Sequence, residues 1–236
     1  MRAEAVSANV WGVVDDAPVG EQAHASTGRI HPVVEGWSPT RFAQEQIRSL
    51  VRQIFSPLLK RPVRQVVFST VESNSEIDGI CMAVAATMAK EASREVALVG
   101  ASSQGIDGIE TRDSNPADGK HEHSPLRESA IHVRRNLWLL PPNPADDPSS
   151  LHTYLSDIRR EFEYSVLVAP PAGDSNEATA MAQLADGIVL VLSAGRTRRA
   201  TACRIRRSLD EAQVRLLGVV LSDREFPIPD RIYRRL

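Results

Sequence analysis

Six short apolar runs, most of them rich in β-branched residues, constrain this chain more than any other feature. They lie at 63–70, 96–102, 137–140, 165–169, 187–194 and 214–222. Several are nearly continuous in apolar character, as strands covered on both faces must be. Helical segments fall between them at about 77–91, 150–162, 176–184 and 197–212. This alternation predicts an α/β fold, a mostly parallel doubly wound sheet with helices on both faces. The runs at 63–70, 96–102, 165–169 and 187–194 are expected in its buried middle. An earlier helix is signalled by Ser38 as cap and Pro39 at the first helical position. Ile47, Leu50, Val51, Ile54, Phe55 and Leu58 then share one face at helical spacing.

The stretches outside this pattern divide the chain. Residues 1–37 lack periodicity and read as a mobile N-terminal tail. Residues 38–225 form the domain, and 226–236 a C-terminal tail. Residues 103–130 are rich in Gly, Ser, Asp and His and read as a mobile loop within the domain. A net charge of −2 over 236 residues gives no support for nucleic-acid binding. No apolar stretch reaches the roughly 18 residues of a membrane span, and the first residues do not resemble a signal peptide, so a cytoplasmic location is expected. Cys81 and Cys203 both sit in apolar helical contexts and read as buried thiols. His121 and His123 lack a third ligand in a matching pattern, so no metal site is expected.

In a doubly wound sheet, ligands collect at the carboxyl ends of the strands. Three such ends matter here. The first, residues 69–79, reads STVESNSEIDG. A phosphate-cradling loop at this place needs glycines that let backbone N–H groups converge, a Lys to meet the phosphate charge, and a Ser or Thr for Mg²⁺. The segment offers one glycine, Gly79, and no Lys or Arg. It carries Glu72, Glu76 and Asp78, which repel polyphosphate and suit the start of a helix instead. The second end is Gly100-Ala101-Ser102 and the third Val168-Ala169-Pro170-Pro171. Neither supplies the Asp that holds Mg²⁺ in a nucleotide-hydrolysing site. Asp174, the nearest acid downstream, reads as a loop or cap residue.

Three stretches carry a resemblance: 136–146 (NLWLLPPNPAD), 162–199 (FEYSVLVAPPAGDSNEATAMAQLADGIVLVLSAGRTRR) and 214–222 (VRLLGVVLS). In order and spacing the chain resembles, over about 40–225, the cytoplasmic ATPase-fold module of bacterial tyrosine kinases and exopolysaccharide chain-length regulators. These belong to the wider group of division-site and partition ATPases. The resemblance implies a P-loop NTPase-like fold. Aligned without gaps from Val66 to Ala89, the family's phosphate-loop Lys falls on Ile77 and its Ser-Thr pair on Asp78 and Gly79. The family's strand-end Asp residues fall on Gly100, Ser102 and Val168. Those six positions are therefore expected to be a degenerate nucleotide site, with no catalytic residue, cofactor or metal. Function is expected to be that of a non-catalytic regulator or scaffold of exopolysaccharide or capsule synthesis. The alternative is an active tyrosine kinase or ATPase with an atypical nucleotide site.

The family's kinases end in a tyrosine cluster, whereas this chain has Tyr154, Tyr164 and Tyr233, the last read as a packing anchor. The family's Glu-x-x-Arg-x-x-Arg contact helix is matched by Glu45 and Arg48, with Val51 in the third place and Arg52 one position late. Arg196, Arg198, Arg199, Arg204, Arg206 and Arg207 crowd one helix and its lead-in, as a solvated face or as a surface for an anionic partner. Glu45, Arg48, Arg52, Arg196, Arg198 and Arg199 are the candidate partner-binding residues. The expected partner is a membrane chain-length (co-polymerase) protein, an active homologue or a second copy, with recruitment to the inner membrane through that partner.

Overall fold

The computed structural model of the chain describes residues 9–11, 39–56, 61–73, 76–91, 94–101, 125–134, 136–142 and 148–223. Their elements, in chain order, are β1 (Asn9–Trp11), α1 (Pro39–Ile54), β2 (Gln65–Thr70), α2 (Ile77–Glu91), β3 (Val96–Val99), α3 (Pro125–Glu128) and β4 (Ile131–Arg134). These are followed by β5 (Leu137–Leu140), α4 (Pro148–Glu161), β6 (Tyr164–Val168), α5 (Glu177–Leu184), β7 (Ile188–Ser193), α6 (Arg199–Glu211) and β8 (Leu216–Ser222). All six expected strands are present. They form one sheet in the order β1-β8-β7-β2-β6-β3-β5-β4. The six inner strands run parallel, and β1 and β4 close the two edges antiparallel. This is the mostly parallel, P-loop NTPase-like architecture, and β7, β2, β6 and β3 occupy its middle as expected.

β2 shows why the apolar runs are continuous. All six of its residues are buried. Val66 and Phe68 face a core shared with Leu50 and Ile54 of α1 and Ile80 and Val84 of α2. Val67 faces the other core, with Ile158 of α4, Met181 of α5 and Leu209 of α6. Alternate residues thus enter opposite cores, and neither set can be polar without a partner. Gln65 meets that condition by donating through Nε2 to the Leu155 carbonyl of α4 at 3.2 Å. α1 buries Ile47, Leu50, Val51 and Ile54, the stripe that the helical spacing predicts, with Phe55 packed against the same core.

Three parts of the sequence reading need correction. Within 1–37, read as a tail, Asn9–Trp11 pair with Leu221–Val219 of β8. Within 103–130, read as a mobile loop, Pro125–Glu128 form α3. Arg127 fixes that turn: its two terminal nitrogens donate to Glu95 at 3.3 and 2.6 Å, and its Nε lies 3.7 Å from Glu161. The guanidinium also sits over Trp138 and Phe162, 4.9 and 5.1 Å from the ring centroids. Cys81 is buried as expected, but Cys203 is exposed. It lies on α6 two residues from Ile205, a rotation of about 200° that puts it opposite the apolar stripe. Ser38, Leu58, the rest of 1–37, residues 102–124 with His121 and His123, and 224–236 with Tyr233 lie outside the described residues.

The entry to β2 is clamped by Asp186, just before β7. Its carboxylate accepts from the backbone N–H of Arg64 and of Gln65, each at 2.8 Å, and from the Arg159 guanidinium of α4. Gly187 follows with φ +153°, where an added Cβ would stand 2.5 Å from the Arg215 carbonyl oxygen. Burial pushes the Asp186 carboxyl up, but the hydrogen bonds from Arg159, Arg64 and Gln65 outweigh it and hold its pKa below the ordinary 3.8. A lowered folded pKa means stability that is present above the unfolded value and lost as pH falls through the folded one. Asp186→Asn should lower unfolding free energy by about 1–3 kcal/mol at neutral pH. In urea titrations the gap to the parent chain should narrow below pH 4 or so. A gap that does not change with pH would show that the carboxylate charge is not what holds the clamp.

Candidate functional site at the carboxyl ends of the strands

The topology creates one switch point. α2 carries the chain from β2 to β3 on one face, and α5 carries it from β6 to β7, across β2, on the other. The crevice of this fold lies where those paths diverge, beyond the carboxyl ends of β2, β6 and β3.

Those ends are engaged with one another. Buried Ser69 donates through Oγ to the Pro170 carbonyl at 2.7 Å. The Ala169 N–H donates to the Phe68 carbonyl and the Ala172 N–H to the Thr70 carbonyl, at 2.9 and 2.8 Å. Residues 170–173 are thereby drawn over the exit of β2. Gly173 is pressed so closely on it that an added Cβ would stand 2.3 Å from the Val71 carbonyl oxygen. Glycine is the residue that this approach admits. On the neighbouring strand Gly100 turns with φ +78°, and an added Cβ there would be 3.1 Å from the Val168 carbonyl oxygen.

The six positions assigned to the nucleotide site have contrasting surroundings. Ile77, the first residue of α2, is 9% exposed and packs in the core shared with α1. Asp78 is half-buried in the first turn of α2, where a carboxylate complements the N–H groups of the helix start. Its charge adds to a larger effect of burial in raising the Cys81 thiol well above its ordinary pKa. Gly79 is exposed, with open space around it. Gly100 and half-buried Val168 lie at the ends of adjacent strands, with no slack for a side chain on Gly100. Ser102 lies outside the described residues. Glu72, Asp174 and Glu177 are exposed around the crevice, and Glu76 is half-buried. Among the described residues no group of three His, Cys, Asp or Glu side chains is arranged to hold a metal ion.

Two further structural roles escape sequence reading. Tyr154 of α4 donates its phenol to the Pro141 carbonyl at 2.5 Å, tying the helix to the start of the Pro-Pro-Asn-Pro segment. Burial raises that phenol's pKa to about 12. Asp186 holds the amino end of β2, as described above. The 162–199 stretch contains it, but its partners at the entry of β2, Arg64 and Gln65, lie more than a hundred residues away.

The partner-binding candidates occupy two separate surfaces. Glu45, Arg48 and Arg52 are exposed along α1. Arg48 reaches across to Glu91 at the end of α2, at 3.7 Å. Arg196, Arg198 and Arg199 are exposed at the start of α6. Arg198 holds its N-cap position with no side-chain cap, because a guanidinium has no acceptor to offer, and the neighbouring Thr197 hydroxyl accepts from the Ser193 N–H. Farther along, Arg206 lies 3.9 Å from Asp210.

No protein-family model matches the chain. An 85-residue segment is 28% identical to tyrosine-protein kinase CpsD of Streptococcus agalactiae, covering 35% of this chain and 37% of that protein. The match thus spans little more than a third of the curated relative's length. Among solved structures, the kinase domain of Escherichia coli tyrosine kinase ETK superposes with a TM-score of 0.61 at 15% identity, covering 79% of each chain. The chimerical protein CapA2B2 superposes with a TM-score of 0.59 at 16% identity, covering 76% of this chain and 84% of that one. A ParA family ATPase from Chlorobium tepidum gives 0.51 at 12% identity, over 67% and 72% of the two chains. The chain therefore has the P-loop NTPase-like fold that bacterial tyrosine-kinase domains share with a partition-type ATPase.

Proposed function

We propose that this chain is a non-catalytic regulator or scaffold of bacterial exopolysaccharide or capsule synthesis, a degenerate relative of the tyrosine-kinase ATPase module. It docks from the cytoplasm onto a membrane chain-length protein or an active homologue. The observation that carries this reading is Ile77. At the position aligned with the phosphate-loop Lys, the chain has an apolar side chain packed in the core, followed by a carboxylate. A phosphate there would meet no cation and one like charge. Residues 170–173, held over the exit of β2 by the Ser69 hydroxyl and by the bond from the Ala172 N–H to the Thr70 carbonyl, support the same reading. The likeness to CpsD supports the pathway. No helix among the described residues is long and apolar enough to cross a membrane, which fits action through a partner.

Isothermal titration with ATP and with ADP, with and without Mg²⁺, should give no dissociation constant tighter than about 1 mM. A low-micromolar constant would overturn the reading in favour of a kinase or ATPase with an atypical site. Ile77→Lys should not restore binding, since the Mg²⁺ ligands are still missing. It should instead cost about 2 kcal/mol or more in chemical denaturation, because an ammonium replaces a buried alkyl group.

The docking half of the proposal is tested in a deletion strain. The chain carrying Arg198→Glu with Arg199→Glu should fold normally yet fail to restore polymer amount or length. Normal polymer from that variant would remove α6 as a docking surface. Unaltered polymer in the deletion strain itself would remove the pathway.

A further inference from the structure

At the opposite end of the sheet from the crevice, the last turns of α1 and α2 diverge over the start of β6. They leave an open cleft of about 290 Å³. Val51, Phe55, Met88 and Tyr164 form its apolar lining. Phe55 and Tyr164 meet edge to face, with ring centroids 5.7 Å apart and planes at 85°, which holds both rings in place. Arg52 and Glu91 stand on its rim.

The two rim charges are in different states. Glu91 is engaged by Arg48 at 3.7 Å. Arg52, one helical turn beyond Arg48, is exposed and has no hydrogen bond or ion pair among the described residues. The cleft therefore offers an apolar floor beneath one cation that no described residue engages. That combination suits an apolar group attached to an anion.

Size and shape decide what carries the group. The volume lies at the bottom of the range of about 300–1,000 Å³ typical of small-molecule pockets, which enclose most of their ligand. This cleft is open, and it reaches Arg52, the last residue of the exposed row Glu45, Arg48 and Arg52 on α1. A single large side chain fills such a site while its backbone stays outside and runs along the helix, in the manner of an interface anchor.

We propose that this cleft receives one aromatic or branched apolar side chain from an acidic segment of a partner polypeptide. The apolar group rests on Phe55, Tyr164 and Met88, and a neighbouring carboxylate pairs with Arg52. The site is remote from the nucleotide end, so it stands or falls apart from the proposed loss of catalysis and from any role in polymer synthesis.

The test uses the purified full chain and two fluorescein-labelled peptides, each with one central phenylalanine. Glutamates flank it in one peptide and glutamines in the other. Anisotropy should show saturable binding of the glutamate peptide, roughly tenfold tighter than the glutamine peptide at low salt, and a smaller difference as salt rises. Arg52→Glu should erase the preference. Ser56→Trp, which fills the cleft from its edge, should abolish binding of both peptides. Because that variant alters a lining residue, a second measurement stands beside it. A benzophenone version of the glutamate peptide should photo-cross-link to the α2 fragment containing Met88 in the unmodified chain. No saturable binding, equal affinity for the two peptides, or cross-links that avoid α1 and α2 would overturn the proposal. So would naphthalene-2-sulfonate binding more tightly than the peptide, which would reassign the cleft to a small aromatic anion.

Discussion

Strand β2 is enclosed on every side, and the rest of the molecule is arranged around that fact. β6 and β7 take its two hydrogen-bonding edges in parallel register. Two helical layers take its two faces. Each fully buried Val or Phe contributes about 1.5–3 kcal/mol relative to exposure. The larger consequence is geometric, because a strand closed on four sides can communicate with solvent only through its ends. The amino end is closed by Asp186, which ties β2 to the start of β7 and, through Arg159, to α4. One carboxylate thus registers three elements from different parts of the chain. The carboxyl end is the place where a fold of this type can do chemistry.

At that end the chain uses its own backbone. Phosphate cradles work because several N–H groups are left without internal partners and converge on one point. Around the end of β2 the Ala169 and Ala172 N–H groups donate to the Phe68 and Thr70 carbonyls, and the Ser69 hydroxyl donates to the Pro170 carbonyl. Gly173 lies against Val71 with no room for a side chain. α2 starts with an isoleucine that adds to the core on the α1 side. These features cooperate, since a buried first residue draws the helix start onto the sheet and away from the crevice. A scaffold gains stability from such closure, whereas a nucleotide enzyme would have to open it at a cost on every turnover.

The fold was legible in the sequence because burial on both faces leaves a plain signature. Val66-Val67-Phe68 and Ile188-Val189-Leu190-Val191 cannot be read as amphipathic, and the helices between them then force a parallel sheet. The edge strands were not legible for the converse reason. β4, Ile-His-Val-Arg, is half polar and carries Ile131 exposed, and β1 has three residues. Such edges are set by the neighbour that they pair with. α3 was hidden for a similar reason: four residues following a polar stretch acquire order from Arg127, whose partners Glu95 and Glu161 are far away in sequence. At the site, the residue types themselves were readable position by position. The burial of Ile77 and the folding of 170–173 over β2 were not, since both depend on which strands become neighbours. Cys203 was misread because apolar context in sequence was taken for apolar context in space.

The arginines separate what holds the fold from what faces outward. Arg64, Arg94, Arg127 and Arg159 lie against Glu163, Glu95, Glu161 and Asp186 near the amino ends of the strands, where they fasten helices and loops to the sheet. α6 shows the opposite pattern. Besides Arg204, Arg206 and Arg207 along its middle, it has Arg196, Arg198 and Arg199 at and before its start and Asp210 and Glu211 at its end. Both placements oppose the helix macrodipole, at about 0.3–1 kcal/mol for each charge within the terminal turns. The start also lacks a side-chain cap, a loss of about the same size. α6 is held by burial of Ile205 and Leu209, not by its charges. A helix that carries its charges against its own stability is poorly explained by folding. An encounter surface accounts for it better, since exposed like charges raise the rate and fix the direction of approach of an oppositely charged partner. Glu72, Asp174 and Glu177 put negative charge at the same end of the sheet as Arg196, Arg198 and Arg199. The carboxyl end is thus polarised from α2 and α5 toward α6, and such a gradient would favour some orientations of an approaching charged partner over others.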